Sequence, residues 1–390
     1  MPAAHTLPVD PWQESIHVER RTDIMKHLIW IPVCVTLGLV AGCASDQPEP
    51  AAEVVPTPTV AKAPLPNWPF TPDMLFPADG SLLRPEDGEV LPDGRLIVAD
   101  QIAGLRLISA DGSSRPFGRF AEAGYQHEPP DIIGGPNGVT IEPSGTHLLV
   151  ADVYRGGLYR VDTATEETTL IYQHSYGINV ARGDRNGGIW FTQSSQNTPE
   201  RGEEELFQSL DMPTPDGALY YLPPFDGSEG TLPVPVAEGL VFANGIVLDE
   251  ERGYLYVGET MGGVVRRYQV DIEAGQISEP TVVLEGFSPD NLELDRDNRL
   301  WITSPLLSEV IVLDLDTGAT NSVFRISTPE SLSVIAEAET RLAEGRSWLE
   351  LFAPPLWAPG PGPTTGVILS EEAGVVFVSG LGNALIQLEF

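Results

Sequence analysis

The sequence predicts an all-β fold, a six-bladed β-propeller with a short helical insertion before the last blade. Three observations carry that prediction. First, six segments repeat one pattern: an apolar strand, a turn with Gly or Asn, and a second apolar strand. They are VLPDGRLIVAD at 90–100, IEPSGTHLLVAD at 141–152, ARGDRNGGIWFT at 181–192, LDEERGYLYVGE at 248–259, LDRDNRLWITS at 294–304 and LSEEAGVVFVS at 369–379. Second, the turn markers Gly94, Gly145, Gly187, Gly253, Asn298 and Gly374 stand 51, 42, 66, 45 and 76 residues apart, and the shorter spacings match one four-stranded blade each. Third, the sixth unit supplies only three strands, so a strand from around 68–85 is expected to complete it and leave no open edge.

In chain order, residues 1–42 read as a leader. Met25-Lys26-His27 is a short basic start, and Leu28 to Val40 is an apolar run too short for a comfortable membrane span. Small residues precede a cysteine in Leu39-Val40-Ala41-Gly42-Cys43. That stretch resembles the lipobox of bacterial lipoproteins, which implies cleavage before Cys43 and acylation of its thiol. The other reading is an ordinary anchor helix with a chance cysteine. Residues 1–24 are polar and fit no signal design, which leaves Met25 as an alternative start. Ala44 and Ser45 follow the cysteine with no Asp directly after it. By resemblance to the enterobacterial sorting rule this points to the outer membrane, facing the periplasm. Residues 43–66 are the acylated cysteine and a Pro-rich, semi-rigid spacer, and the propeller is expected over 67–390.

Composition narrows the chemistry. Acids outnumber bases 56 to 22, for a net charge of −34. Nucleic acid demands a basic face, so that partner is excluded. The acidic balance suits high salt, a site that collects cations, or simply a solvated surface. The lysines are Lys26 and Lys62, both ahead of the repeats, which excludes a Schiff-base lysine there. The cysteines are Cys34 and Cys43, so the repeats hold neither a disulfide framework nor a cysteine metal site. No G-x-S-x-G elbow and no P-loop occurs, and oligomeric state has no signature.

The two long spacings contain insertions. Gln193 to about Pro215 is polar and acidic. In the second, Thr328 to about Pro363, Thr328-Pro329-Glu330 offers an N-cap, a proline at the first helical position and an acid for the dipole. Leu332, Ile335, Ala338 and Leu342 keep helical spacing, and Gly345 can end the helix. This helix is expected either over one rim as a lid or against the side with no role in access.

Stepping back eight residues from each turn marker reaches Glu86, Asn137, Asn179, Gly245, Asp290 and Gly366. One unit carries an extra turn residue, so its equivalent is Asn244. Five of six units thus open their innermost strand with an oxygen-bearing side chain, and in a propeller such positions ring the central channel. Two carboxylates and three amides make an all-oxygen cage, which suits a hard cation such as Ca²⁺. Zinc would want His or Cys. The alternative for each Asn is a turn residue tolerant of left-handed backbone, and Tyr176-Gly177 competes with Asn179 as the turn in its unit.

The same segments resemble the senescence-marker-protein/gluconolactonase (regucalcin-like) family, related to the paraoxonases and the strictosidine synthase-like proteins, over about residues 80–390. RPEDGEVLPDG is similar to a paraoxonase first-blade segment; the resemblance implies Glu86 as a calcium ligand and Asp87 as a ligand of a second, structural calcium. FANGIVL places Asn244 on the family's Asn ligand, and SPDNLELD places Asp290 on its Asp ligand with Asn291 on the paraoxonase amide beside it. Asn179 would be a further ligand, although Val180 follows where the family usually has Asp. The insertion FTQSSQNTPE and the following PDGALYYL resemble the strictosidine synthase-like form most. Two features depart. Asn137 and about Val153 stand where paraoxonases carry a His dyad, and Pro363-Thr364-Thr365-Gly366 lacks the catalytic acid of plant strictosidine synthases.

The resemblance implies hydrolysis of a lactone or related ester. A bound Ca²⁺ would polarise the carbonyl, with Asp290 as ligand and proton acceptor and Glu86 mainly a ligand. Asn137 is expected to hydrogen-bond a substrate oxygen, with His127 and His174 as secondary candidates; lone loop histidines otherwise read as simple surface residues. Two other classes stay open: a non-catalytic propeller that binds a ligand or a protein, and a strictosidine synthase-like relative with another reaction.

Overall fold

The computed structural model describes Lys62, residues 64–224 and residues 231–389. The leader, Cys43 and nearly all of the spacer lie outside the described residues. Those described belong to one compact unit, Ala61–Phe390. Among them, no helix is long and apolar enough to cross a membrane.

Six antiparallel sheets follow one another around a ring. From the innermost strand outward, blade I is Gly88–Val90, Leu96–Asp100, Gly104–Ile108 and Ser114–Phe117. Blade II is Pro136–Ile141, His147–Asp152, Gly157–Asp162 and Thr168–Gln173. Blade III is Ala181–Gly183, Ile189–Gln193, Gly217–Leu222 and Val234–Leu240. Blade IV is Ala243–Asp249, Tyr254–Glu259, Val264–Asp271 and Thr281–Glu285, with a short Gln276–Ile277 beside the third strand. Blade V is Leu292–Leu294, Arg299–Ser304, Glu309–Asp314 and Thr320–Arg325. Blade VI is Thr364–Ser370, Val375–Gly380 and Leu385–Glu389. Its innermost strand touches that of blade I, so the ring is closed.

The fourth strand of blade VI is Leu75–Phe76, pairing antiparallel with Ile386 and Leu385, which is the closure the sequence predicts. One addition was not legible: Trp68–Pro69 pairs in parallel with Phe324 and Arg325 as a fifth strand of blade V. Lys62, assigned to the spacer by sequence, reaches the same blade and ion-pairs with Asp314 and Asp316 at 2.9 and 2.8 Å.

All six turn markers have positive φ, from +58° at Asn298 to +87° at Gly187. The hairpin register read from the repeats is therefore a backbone requirement, met by Gly and once by Asn. Each blade interface holds its own apolar cluster, for example Leu105 and Phe117 with Val139 and Val150 between I and II, and Trp190 and Leu219 with Ile246 and Val257 between III and IV. Strands buried on both faces explain the continuous apolar runs such as Leu96 to Ala99.

Both insertions are helical. The first contains α1, Gly202–Asp211, within a stretch that in sequence reads only as polar and acidic. The second contains α2, Pro329–Ala343, as predicted: Thr328 Oγ1 accepts from the Ser331 amide, and Gly345 follows at φ +64°. A short α3, Pro354–Trp357, comes after it.

Candidate metal centre and active site

The ring positions come together. Glu86, Asn137, Asn179, Asn244 and Asp290 line one cavity of about 270 Å³, and each side chain is at most 6% exposed. Asn137 and Asn244 lie inside innermost strands, and none of the three asparagines has a positive φ, so the turn-residue alternative fails. The sixth position is Thr365 rather than Gly366. Thr365 lines the cavity nine residues before Gly374, as Asn244 does nine before Gly253.

The residues one step further along alternate around the ring. Blades II, IV and VI carry Gly138, Gly245 and Gly366; blades I, III and V carry Asp87, Val180 and Asn291. A Cβ on Gly138 would stand 2.7 Å from Val180 Cα, and one on Gly245 2.5 Å from Asp290 O. The glycines make room for a neighbouring backbone, and that close approach draws the ring tight.

Hydrogen bonds fix most of the ring. Arg84 donates to Asn137 Oδ1 and to the Pro136 carbonyl, both at 2.8 Å. Asn137 donates to Asn179 Oδ1 at 3.1 Å, and Asn179 to Ser194 Oγ at 2.8 Å. Thr260 Oγ1 donates to the Pro289 carbonyl and accepts from Asn244 Nδ2 at 3.0 Å, which fixes which end of that amide is the acceptor. Asn291 Nδ2 donates to Glu86 Oε1 at 3.2 Å, although Asn291 itself does not line the cavity. Of the buried oxygens left without a protein partner among the described residues, four gather here: Glu86 Oε2, Asn244 Oδ1, Asp290 Oδ1 and Asn291 Oδ1. Buried acceptors are ordinarily satisfied, and acceptors with no nearby donor are what a cation site requires. Burial and the Asp290 charge push the Glu86 carboxyl up to about 8. Burial likewise pushes Asp290 up to about 8, against the bond from Asn244. Among the described residues no three His, Cys, Asp or Glu side chains form a metal cluster, because amides supply the rest of this ring.

Other candidates lie elsewhere. Asp87 is buried, and its Oδ2 accepts from the Val139 amide at 3.0 Å. Burial and the Glu86 charge raise its carboxyl well above the usual range. On that side of the ring Arg182 is ion-paired with Glu293, and Glu89 and Asp87 also act on its guanidinium. The structure does not bring His127 or His174 to the cavity. His127 accepts from the Gly134 amide at 3.4 Å in a loop. His174 is buried among Tyr172, Tyr176, Phe191 and Tyr220, which holds its pKa below the usual value by desolvation. Both are close to ring positions in sequence, but the chain turns between them and the innermost strand.

Sequence reasoning missed Arg84. It lines the cavity, is 9% exposed, sits at φ +54° and lies 5.1 Å from the Tyr154 ring centroid. It has no counterpart in the other units, so the repeat could not reveal it. Its only signal is a cation two residues ahead of Glu86 in a cation-poor chain.

The insertions complete the cavity. Leu206, Phe207 and Leu210 of α1 line it, as do Glu339 and Leu342 of α2 and the following Trp348 and Phe352. α2 therefore reaches the rim of the cavity, which favours the first of its two expected placements.

Fold and ring define a class: a six-bladed propeller whose central cavity ends in buried oxygen side chains at the openings of its innermost strands. Residues 155–336 match the family model for the SMP-30/Gluconolactonase/LRE-like region, so the chain carries a region of that kind, as its motifs suggest. A gluconolactonase from Xanthomonas campestris superposes with a TM-score of 0.53 at 20% identity, covering 80% of this chain and 87% of that one. Regucalcin from Agrobacterium tumefaciens, a calcium-binding protein, does so with 0.52 at 15% identity, covering 80% and 86%. At such identities the likeness establishes the fold. Among curated proteins, adipocyte plasma membrane-associated protein of Gallus gallus is 30% identical over 184 residues, 45% of this chain and 42% of that one. Strictosidine synthase-like 13 of Arabidopsis thaliana is 27% identical over 189 residues, 46% and 43%. Hemomucin of Drosophila melanogaster is 27% identical over 183 residues, 43% and 30%. The matched stretch spans less than half the length of each of these curated relatives.

Proposed function

We propose that the protein is a calcium-dependent hydrolase of lactones or related esters, held at the bacterial envelope, at the outer membrane facing the periplasm, by a lipid on Cys43. The observation that carries the catalytic part is the set of unpartnered buried oxygens on Glu86, Asn244 and Asp290 around one cavity, with that of Asn291 just behind Glu86. The gluconolactonase-like region and the calcium-binding fold neighbour support it. Glu86, Asn244 and Asp290 would hold the ion, with Asn179 beside them. Ca²⁺ there would supply Lewis-acid polarisation of the carbonyl and charge for the developing oxyanion. Asp290 accepts the proton of the attacking water and returns it to the leaving alkoxide, so a lactone plus water gives the hydroxy acid. Arg84 keeps Asn137 fixed, and the Asn137 amide orients a substrate oxygen at the cavity wall.

The test is metal analysis on the protein spanning Gln47 to Phe390, then a lactone and aryl-ester screen with and without chelator. Stoichiometric calcium and chelator-sensitive turnover are expected. Full turnover in chelator would remove the ion from the reaction. Bound calcium with no turnover of any member would favour a ligand-binding propeller instead.

A further inference from the structure

The cavity walls narrow the substrate class. Apart from the ring and its partners Arg84 and Thr260, the polar side chains facing it are those of Tyr154, Ser288, Glu339 and Trp348. The Trp348 indole N–H is already donated to the Leu210 carbonyl at 2.9 Å, and Ser288 Oγ bonds Ser304 Oγ at 2.8 Å. The remaining wall is aliphatic and aromatic, including Leu206, Phe242, Met261, Phe287, Leu307 and Phe352. Val153, Tyr154, Leu206 and Phe242 form an apolar cluster of their own, separate from the six between blades, with Leu210 and Met261 packed against it. A sugar lactone carries several hydroxyls, and each loses its water bonds on entering such a wall without gaining partners.

The wall is a built cap. At the end of α1, Asp211 Oδ1 accepts from Ser347 Oγ, the Trp348 amide and the Leu349 amide at 3.0, 2.7 and 2.9 Å. Phe352 packs edge-on against Trp348 and lies 6.4 Å from Phe207 across the joint. Two insertions far apart in sequence thus form one apolar roof over the polar ring, the usual division of a small-molecule site into an apolar body and a few convergent polar groups.

We infer that the substrate is an amphiphile: a lactone or ester whose carbonyl meets the ring and whose hydrocarbon chain or aryl group fills the cap. The carbonyl half rests on the hydrolase reading; the apolar half rests on the cap alone. The experiment measures kcat/KM for γ-lactones with lengthening alkyl chains beside glucono-δ-lactone. It also titrates a non-hydrolysable medium-chain lactam in calcium, read by tryptophan fluorescence and compared with Trp348→Phe. A rise of about threefold to fourfold per added methylene is expected until the cavity is filled, with gluconolactone the poorest member. The lactam is expected to bind with a change in emission. Leu206→Gln is expected to flatten the chain-length series and weaken the lactam. A flat series, or gluconolactone as best substrate, overturns the inference and leaves the hydrolase reading standing. Lactam binding with no turnover of any lactone or ester overturns the hydrolase reading and keeps the cap's preference. Neither binding nor turnover overturns both.

Discussion

Asp290 and Glu86 are two carboxylates taken out of water into one cavity, with Arg84 as the guanidinium beside them. An uncompensated buried carboxylate is costly, and a divalent cation or a proton relieves it. Asp290→Asn removes one charge and keeps the shape. Its calcium affinity is expected to fall by more than about 100-fold, beyond what loss of an outer-shell partner costs; calorimetric titration reads this. In chelator at pH 8 the same variant is expected to melt higher than the parent, because the buried charge is gone. The pH dependence follows from the same pair. Their folded values stand near 8 against ordinary values of 4.5 and 3.8, so the folded, cation-free protein keeps protons the unfolded chain has released. That contribution is fully present below about pH 4 and is lost as pH rises through 8. Calcium bound at the proposed site would compete with those protons, so the rise in melting temperature on adding calcium is expected to grow from pH 5.5 to 8. A calcium shift that is flat over that range would show the pair is already ionised. The ring side chains were legible because the hairpin register repeats; Arg84 was not, because it belongs to one unit alone.

At the level of strands, the alternation of Gly138, Gly245 and Gly366 with Asp87, Val180 and Asn291 sets how closely the innermost strands approach. The Asn-Gly pairs invited a turn reading in sequence, yet their glycines serve packing. Gly245→Ala places a methyl against Asp290 O and Leu292 N, both backbone atoms that cannot swing aside. A loss of about 1–3 kcal/mol or more is expected from overpacking, measured as a lower denaturation midpoint, with calcium affinity falling as Asp290 is displaced. An unchanged midpoint would mean the ring is looser than its contacts imply. Helix legibility followed capping chemistry. Thr328-Pro329-Glu330 announces α2, whereas α1 starts after Arg201 with no side-chain cap. Its signals were only the acids Glu203 to Glu205 in the first turn and the Leu206–Leu210 spacing, which an acidic segment obscures.

At the scale of the molecule, stability is distributed over six equivalent interfaces, and the blade joining first to last is completed by Leu75–Phe76. A chain beginning at Leu82 keeps every ring residue but loses both Trp68–Pro69 and Leu75–Phe76, exposing the outer edges of Thr320–Arg325 and Leu385–Glu389. Such edges pair with other chains, so this shortened protein is expected to elute from a sizing column as aggregate while the chain from Gln47 stays discrete. A monodisperse Leu82 chain would show both added strands to be dispensable. The blade count and its closure could be read from turn spacing; Trp68–Pro69 could not, because a two-residue parallel strand carries no periodicity. The closure also dictates a schedule. Leu75 and Phe76 pair with Ile386 and Leu385, some three hundred residues later, so the circle cannot shut until the chain has been made through that last strand. Until then any blades already folded form an open arc, and whatever shields its two raw ends governs how much protein escapes mispairing.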